Sequence, residues 1–202
     1  MKILITGFDP FGGESCNPSS LALRQLKAPD GVELIKLTEI PTVFSVGAQI
    51  FDAVLREKPR AVVCVGQAGG RRAITPERVA INLMDATICD NRGFCPKDLP
   101  VVPGGPAAYF TTLPLKAMVS SIRDAGIPAE ISNSAGTFVC NSLIYSLLHL
   151  IEENQLPTRA GFLHLPFLPS QAESRPGYPS MTLSQMVRGL EAALEAIRDD
   201  IS

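Results

Sequence analysis

Ala61-Val62-Val63-Cys64-Val65, followed by the turn Gly66-Gln67-Ala68-Gly69-Gly70-Arg71-Arg72, is a short run apolar on both faces that stops at glycines. A strand of that kind is buried on both faces, as in a parallel sheet covered by helices. Toward the N-terminus, Thr42 to Lys58 carries Val43, Val46, Ile50, Ala53 and Val54 on a helical stripe stopped by Pro59. Before it, Val32 to Ile40 alternates as a strand closed by Pro41. Asn17-Pro18 supplies a capping side chain and a first-turn proline for a helix running to near Lys27. Lys2 to Thr6 is an apolar, β-branched first strand ending at Gly7. The order strand, helix, strand, helix, strand predicts an α/β fold with an at least partly parallel sheet.

Toward the C-terminus, Val79, Ile81 and Leu83 alternate with polar or small residues, which predicts a strand over Thr75 to Leu83 with Glu77 on the apolar side. An inward carboxylate must be hydrogen-bonded, paired or protonated. An exposed strand start, or an ion pair with a neighbouring arginine, satisfies the same position. Asp85 to Tyr109 has no periodicity, and a loop of that length in a compact domain is usually functional or at an interface. Leu115, Met118, Val119 and Ile122 mark a short helix, and Ala129-Glu130-Ile131 a short strand. From there Ser132 to Val139 leads into a helix whose buried stripe is Cys140, Leu143, Ile144, Leu147, Leu148 and Ile151. Gly161 to Pro166 reads as a further strand, apolar except for His164. Pro169 to Ser180 is a polar connection. Thr182 and Gln185 form a capping box for a final amphipathic helix. No linker interrupts residues 1–202, which read as one domain.

Hydrophobic residues at 46% and charged residues at 19% describe a globular protein, and the net charge of −2 gives no electrostatic basis for binding nucleic acid. No stretch has the roughly 20 apolar residues of a membrane helix, and no signal peptide is legible at the start, so no membrane association and a cytoplasmic location are expected. The five cysteines, Cys16, Cys64, Cys89, Cys95 and Cys140, are odd in number and are expected to be reduced. The Cys89/Cys95 spacing fits no usual zinc ligand pattern, so no metal or cofactor is expected.

Cys140 stands where a strand-loop-helix junction meets the carboxyl ends of a sheet, the usual ligand position. There the helix macrodipole favours a thiolate, and free backbone N–H groups can hold an oxyanion. A small core hydrophobe at the start of an amphipathic helix has the same signature. A thiol nucleophile needs a base, and the chain has two histidines. His149 is on the same helix nine residues on, on the opposite face and about 13 Å away. His164, on the following strand, can return beside the strand that feeds Cys140. Glu77 can fix its tautomer. The Phe8-to-Gly13 loop places Phe8 and Phe11 either in a pocket or at a core edge. The Gly66-to-Arg72 turn matches no phosphate-binding motif.

These motifs resemble one family. Thr6 to Gly13, Asn17-Pro18-Ser19, Val65 to Arg71 with Ile74 to Asn82, Ala135 to Asn141 and Gly161 to Pro166 are similar, in order and over almost the whole length, to pyroglutamyl-peptidase I, also called pyrrolidone-carboxylate peptidase. The resemblance implies a three-layer α/β/α sandwich around a mixed, mostly parallel twisted sheet. It implies a Cys140, His164, Glu77 triad that removes N-terminal pyroglutamate from peptides without a cofactor, in a homo-oligomer, a dimer or tetramer. It also implies a pyroglutamyl pocket lined by Phe8, Phe11, Asn17, Gln67, Ile88, Phe138 and Val139. Two positions depart from the pattern. Thr87 stands where relatives commonly carry Arg, and Ser142 where they often carry His. Open alternatives are another thiol amidase of related fold and a non-catalytic binding domain using Gly66 to Arg72 as an anion loop.

Overall fold

The computed structural model describes residues 1–201; Ser202, the last residue of the expected domain, lies outside them. The expected opening is present as β1 (Lys2–Phe8), α1 (Pro18–Gln25), β2 (Glu33–Ile40), α2 (Val46–Glu57) and β3 (Ala61–Gln67). After it come β4 (Thr75–Pro76), β5 (Val79–Ile81), β6 (Ala108–Phe110) and α3 (Leu115–Asp124), then α4 (Val139–Glu153), β7 (Arg159–Leu165), α5 (Pro169–Ala172) and α6 (Leu183–Ile201). The main sheet has the order β2-β1-β3-β7-β4, parallel except for β4, which runs antiparallel to β7.

Every residue of β3 is buried, as its doubly apolar sequence requires. Alternation sends Val63 and Val65 into a core under α1, α3 and α6, and Val62 and Cys64 into a second core under α2 and α4. The result is the mixed, mostly parallel three-layer sandwich. The Asn17 side chain accepts from Ser19 N at 3.1 Å to start α1, and the Thr182/Gln185 box starts α6. Among the described residues no helix is long and apolar enough to cross a membrane.

Four local readings differ from the structure. Helix α2 begins at Val46 rather than Thr42, because Thr42 N–H and hydroxyl donate to the Asp9 carboxylate at 2.7 and 2.6 Å and hold 42–45 as a loop. The expected strand over 75–83 breaks after Pro76: Glu77 N donates to Phe162 O and Arg78 N to Ser132 O, both at 2.8 Å, and β5 then joins β6 in a separate two-stranded sheet. Ala129 to Ile131 makes only parallel bridges along β4, Ile74 with Ala129 and Glu77 with Ser132. Strand β4 therefore lies between that segment and β7, and the loop to Cys140 does not leave a strand adjacent to His164. The polar connection after β7 includes α5, capped by Leu168 N donating to Gln171 Oε1 at 3.0 Å.

Candidate active site

The first two crossovers, α1 leaving β1 for β2 and α2 leaving β2 for β3, pack on opposite faces of the sheet, and the crevice at the carboxyl ends of the neighbouring β1 and β3 is where α/β sheets bind ligands. Gly66, near the end of β3, pairs in register with His164 on β7. A Cβ at Gly66 would sit 3.1 Å from Cys140 Sγ and 2.7 Å from Phe162 Cζ, so the glycine lets thiol and sheet approach. Cys140 is the second residue of α4, whose N-cap Phe138 makes no side-chain cap, and the first amides of a helix have no intrahelical acceptor.

His164 is 3% and Glu77 2% exposed. The Thr75–His164 pairing and the Glu77–Phe162 backbone bond deliver the carboxylate to the imidazole, with Nδ1 to Oε1 at 2.7 Å. A carboxylate accepts only, so Nδ1 carries the proton and Nε2 is the basic nitrogen. The Phe162 ring packs on the imidazole at 4.6 Å between centroids. Arg71 Nη1 also donates to Glu77 Oε1, at 2.6 Å. The hydrogen-bonded carboxylate and the arginine ion pair weighed for Glu77 both hold.

Burial disfavours the Glu77 carboxylate, but the His164 contact, the nearby Ser132 hydroxyl and Arg71 outweigh it, and the carboxyl lies below its usual range. Burial lowers His164; Glu77 opposes this and Arg71 adds to it, leaving the imidazole below its ordinary value. Burial, then the Glu77 charge, push the Cys140 thiol up to about 12. This reverses the expected macrodipole effect, because desolvation and a carboxylate outweigh the helix end.

The residues expected in the pocket divide into three groups. Phe11 and Phe138 lie with ring centroids 5.9 Å apart, and Ile88, 46% exposed, rims the Phe11 loop, with its Cδ1 3.6 Å from a Cβ at Gly12. Phe8 and Val139, 2% and 0% exposed, sit in the second core and back the crevice wall. Asn17 caps α1 and donates to Asp9 O at 3.1 Å, while buried Gln67 accepts from Gln171 Nε2 at 2.8 Å. His149 is remote from these groups in its bonding, with Nδ1 2.8 Å from the Tyr109 hydroxyl. Thr87 is exposed, and Ser142 donates to Phe44 O at 3.2 Å, tying α4 to the 42–45 loop.

Several contributors were not foreseen. Phe44 packs edge-on against Phe138 at 5.3 Å. Asn141 Nδ2 donates to Ile81 O and Leu83 O and its Oδ1 accepts from Ile81 N, at 2.9 to 3.0 Å, fastening the start of α4 to β5. The carboxylate of Asp90 accepts from Phe44, Arg92 and Phe94 N–H. That fold-back corrects the reduced-thiol expectation: Cys89 and Cys95, Cα atoms 4.4 Å apart, are joined as a disulfide, leaving Cys16, Cys64 and Cys140 free. A cavity of about 700 Å³ between α2, α4 and the 84–102 loop, lined by Phe44, Met84, Phe94 and Leu150 among others, contains none of Cys140, His164 and Glu77.

A thiol at a helix start, packed against Gly66, the sheet partner of a histidine oriented by a buried carboxylate, on a three-layer α/β/α scaffold has the parts of a cysteine-type hydrolase. The chain belongs to the pyroglutamyl peptidase family, whose sequence profile, described as "Pyroglutamyl peptidase", matches residues 1–200. It is 52% identical over 198 residues to the pyrrolidone-carboxylate peptidase of Levilactobacillus brevis, covering 98% of this chain and 97% of that one. It is 51% identical over 200 residues to that of Streptococcus pyogenes serotype M4, covering 98% and 93%. The fold is similar to the crystal structure of pyroglutamyl peptidase I from Bacillus amyloliquefaciens, with TM-score 0.91, 44% identity and 97% and 94% of the two chains covered. A mutant pyrrolidone carboxyl peptidase from Pyrococcus furiosus superposes with TM-score 0.92 at 36% identity over 99% of both chains.

Proposed function

We propose that this chain removes an N-terminal pyroglutamyl residue from peptides, with Cys140 as nucleophile, His164 as general base and acid, and Glu77 as its orienting carboxylate. The supporting observation is the buried 2.7 Å contact between Glu77 Oε1 and His164 Nδ1 beside the thiol-bearing helix start. Cys140 Sγ attacks the carbonyl carbon of the pyroglutamyl amide as His164 Nε2 takes the thiol proton. The raised thiol favours transfer of its proton to His164 as the attack proceeds. Amides at the start of α4 receive the oxyanion. The tetrahedral adduct collapses to a thioester as His164 protonates the departing amine, and water, deprotonated by His164, then releases pyroglutamate and the thiol.

The lactam is neutral and has no free amine, which suits a site walled by Phe11 and Phe138 with Ile88 at its rim, Gln67 and Asn17 behind it, and Phe8 and Val139 shaping the wall. The reading as an anion-binding domain is weakened, since Arg71 is held by Glu77 and does not face an open loop. The exposed Phe94, Leu99 and Phe110, at 46, 43 and 70%, support a homo-oligomer, to be read by analytical ultracentrifugation. A free-thiol nucleophile supports a cytoplasmic location, for which the Cys89–Cys95 bond is the contrary observation. A fluorogenic pyroglutamyl amide tests the reaction. Reduced protein turns it over, and Cys140→Ala loses at least about 10³-fold. Turnover persisting in Cys140→Ala, or tight binding without turnover in reduced protein, overturns the proposal.

A further inference from the structure

Arg71 closes the glycine turn after β3, and its guanidinium reaches three separate places. Nη1 donates to Glu77 Oε1 at 2.6 Å, the same oxygen that holds His164 Nδ1. It also donates to the Thr75 hydroxyl. Nη2 donates to Ser134 O at 3.1 Å, in the loop that runs into α4 and Cys140. Glu77 Oε2 is buried with no hydrogen-bond partner among the described residues, so the His164 and Arg71 bonds both fall on Oε1, with the Ser132 hydroxyl nearby. With Arg71 gone, His164 and the nearby Ser132 hydroxyl would be left to hold the carboxylate, which could then pivot more freely about the His164 contact. The loop to Cys140 would lose its tie at Ser134, keeping the Glu77 segment's backbone contacts at Ser132 and the Arg78–Asn133 side-chain bond.

We propose that Arg71 is a positioning residue of the reaction: its guanidinium locks the Glu77 carboxylate onto His164 and tethers the loop that presents Cys140, so base and nucleophile are held in register by a cation that touches no substrate. The inference rests on the triad reading above. A planar fork with several donors suits three acceptors in different directions, and a lysine ammonium on a flexible stem does not reproduce it. The charge has a direction as well. The ionisable groups facing His164 are Glu77 and Arg71, and those facing Cys140 are Glu77, Cys64 and Arg71. Arg71 opposes the imidazolium and favours the thiolate, so its removal makes His164 more basic and the thiol less acidic.

The test compares Arg71→Met, Arg71→Lys and Arg71→Ala in the full chain on the fluorogenic pyroglutamyl amide, with Glu77→Gln and His164→Ala alongside. Arg71→Met should lose about 10- to 100-fold in kcat with KM within about threefold, since misplacement of reacting groups costs transition-state rather than ground-state binding. The acid limb of its kcat/KM profile should move to higher pH. Arg71→Lys should restore the limb and part of the rate, and Arg71→Ala should regain rate saturably with millimolar ethylguanidinium. Wild-type kcat and pH profile in folded Arg71→Met overturn the proposal. So does a loss across all three variants that only tracks the folded fraction by circular dichroism, without rescue. If Arg71→Met does not fold, the Arg71→Lys profile decides: an unchanged kcat and limb refute the positioning role. If Glu77→Gln and His164→Ala keep full turnover, the triad reading itself falls; if they abolish it while Arg71→Met stays normal, Arg71 alone is misassigned.

Discussion

Gly66→Ala tests whether the crevice depends on close packing behind the thiol. The added Cβ would lie 2.7 Å from Phe162 Cζ, 3.0 Å from Cε1 and 3.1 Å from Cys140 Sγ. Carbon atoms rest at about 3.5–4.0 Å, so the methyl is roughly 1 Å too close. Phe162 has little room to retreat: it is 1% exposed, with Phe8 at 6.2 Å and His164 at 4.6 Å between ring centroids. The displacement passes to the imidazole on one side and to Sγ on the other. Overpacking of this kind costs about 1–3 kcal/mol. For a domain of this size that lowers Tm by roughly 2–12 °C. A misplacement approaching 1 Å among the reacting groups lowers kcat/KM by about 100-fold. Thermal melts, kcat/KM on the fluorogenic amide, and the rate of Cys140 alkylation by iodoacetamide read these effects. Gly161→Ala is the control: its Cβ would run into the Thr111 hydroxyl and meet Leu113 Cδ1 at 2.7 Å, lower in β7, costing at least comparable stability with kcat/KM within about threefold at a temperature where it is folded. A Gly66→Ala protein within 1 °C and twofold of the parent would refute the reasoning.

Glu77→Gln should cut kcat by roughly 100-fold or more and move the acid limb to lower pH, because the carboxylate that raises His164 is gone; a pH-rate profile checks it. Asn141→Ala removes three hydrogen bonds to Ile81 and Leu83 and should cost about 2–4 kcal/mol by urea titration. Stability should fall as pH rises above about 9: the Cys64 and Cys140 thiols, held up to about 12 by burial, retain protons in the native chain that an unfolded chain loses, and melts of Cys140→Ala should show a shallower decline. Reduction of Cys89–Cys95, separated by 6 positions, should add two titratable thiols and cost ~2 kcal/mol of loop entropy, measured by thiol titration and melting with and without dithiothreitol.

The parts of the fold legible in the sequence are those set by local pattern and punctuation. The doubly apolar β3, the Asn17-Pro18 helix start and the Thr182/Gln185 box each follow from a few neighbouring residues. The inward Glu77 follows from a period of two that fails in detail: Val79 and Ile81 are only half-buried, while Ala80 between them is 1% exposed. Local alternation cannot tell which sheet a strand joins. That is decided by distant partners, Phe162 O and Ser132 O for Glu77 and Arg78, and the Asn141 side chain for β5. The contacts of Arg71 and Asp90 are not legible for the same reason, since each gathers groups from segments that meet only in three dimensions.

The long-range arrangement also bears on a thiol raised to about 12 in the proposed nucleophile's position. Glu77 and Arg71 share one contact and act on the pair in opposite senses: the carboxylate makes His164 a stronger base and Cys140 a weaker acid, and the guanidinium does the reverse. Their neutralisations must therefore displace the acid limb in opposite directions, lower for Glu77→Gln and higher for Arg71→Met, although both lower kcat. A general loosening of the site would move both limbs the same way or neither. Opposite shifts with a common loss of rate would identify the Glu77–Arg71 contact as the element that balances base strength against thiol acidity while fixing the geometry of both.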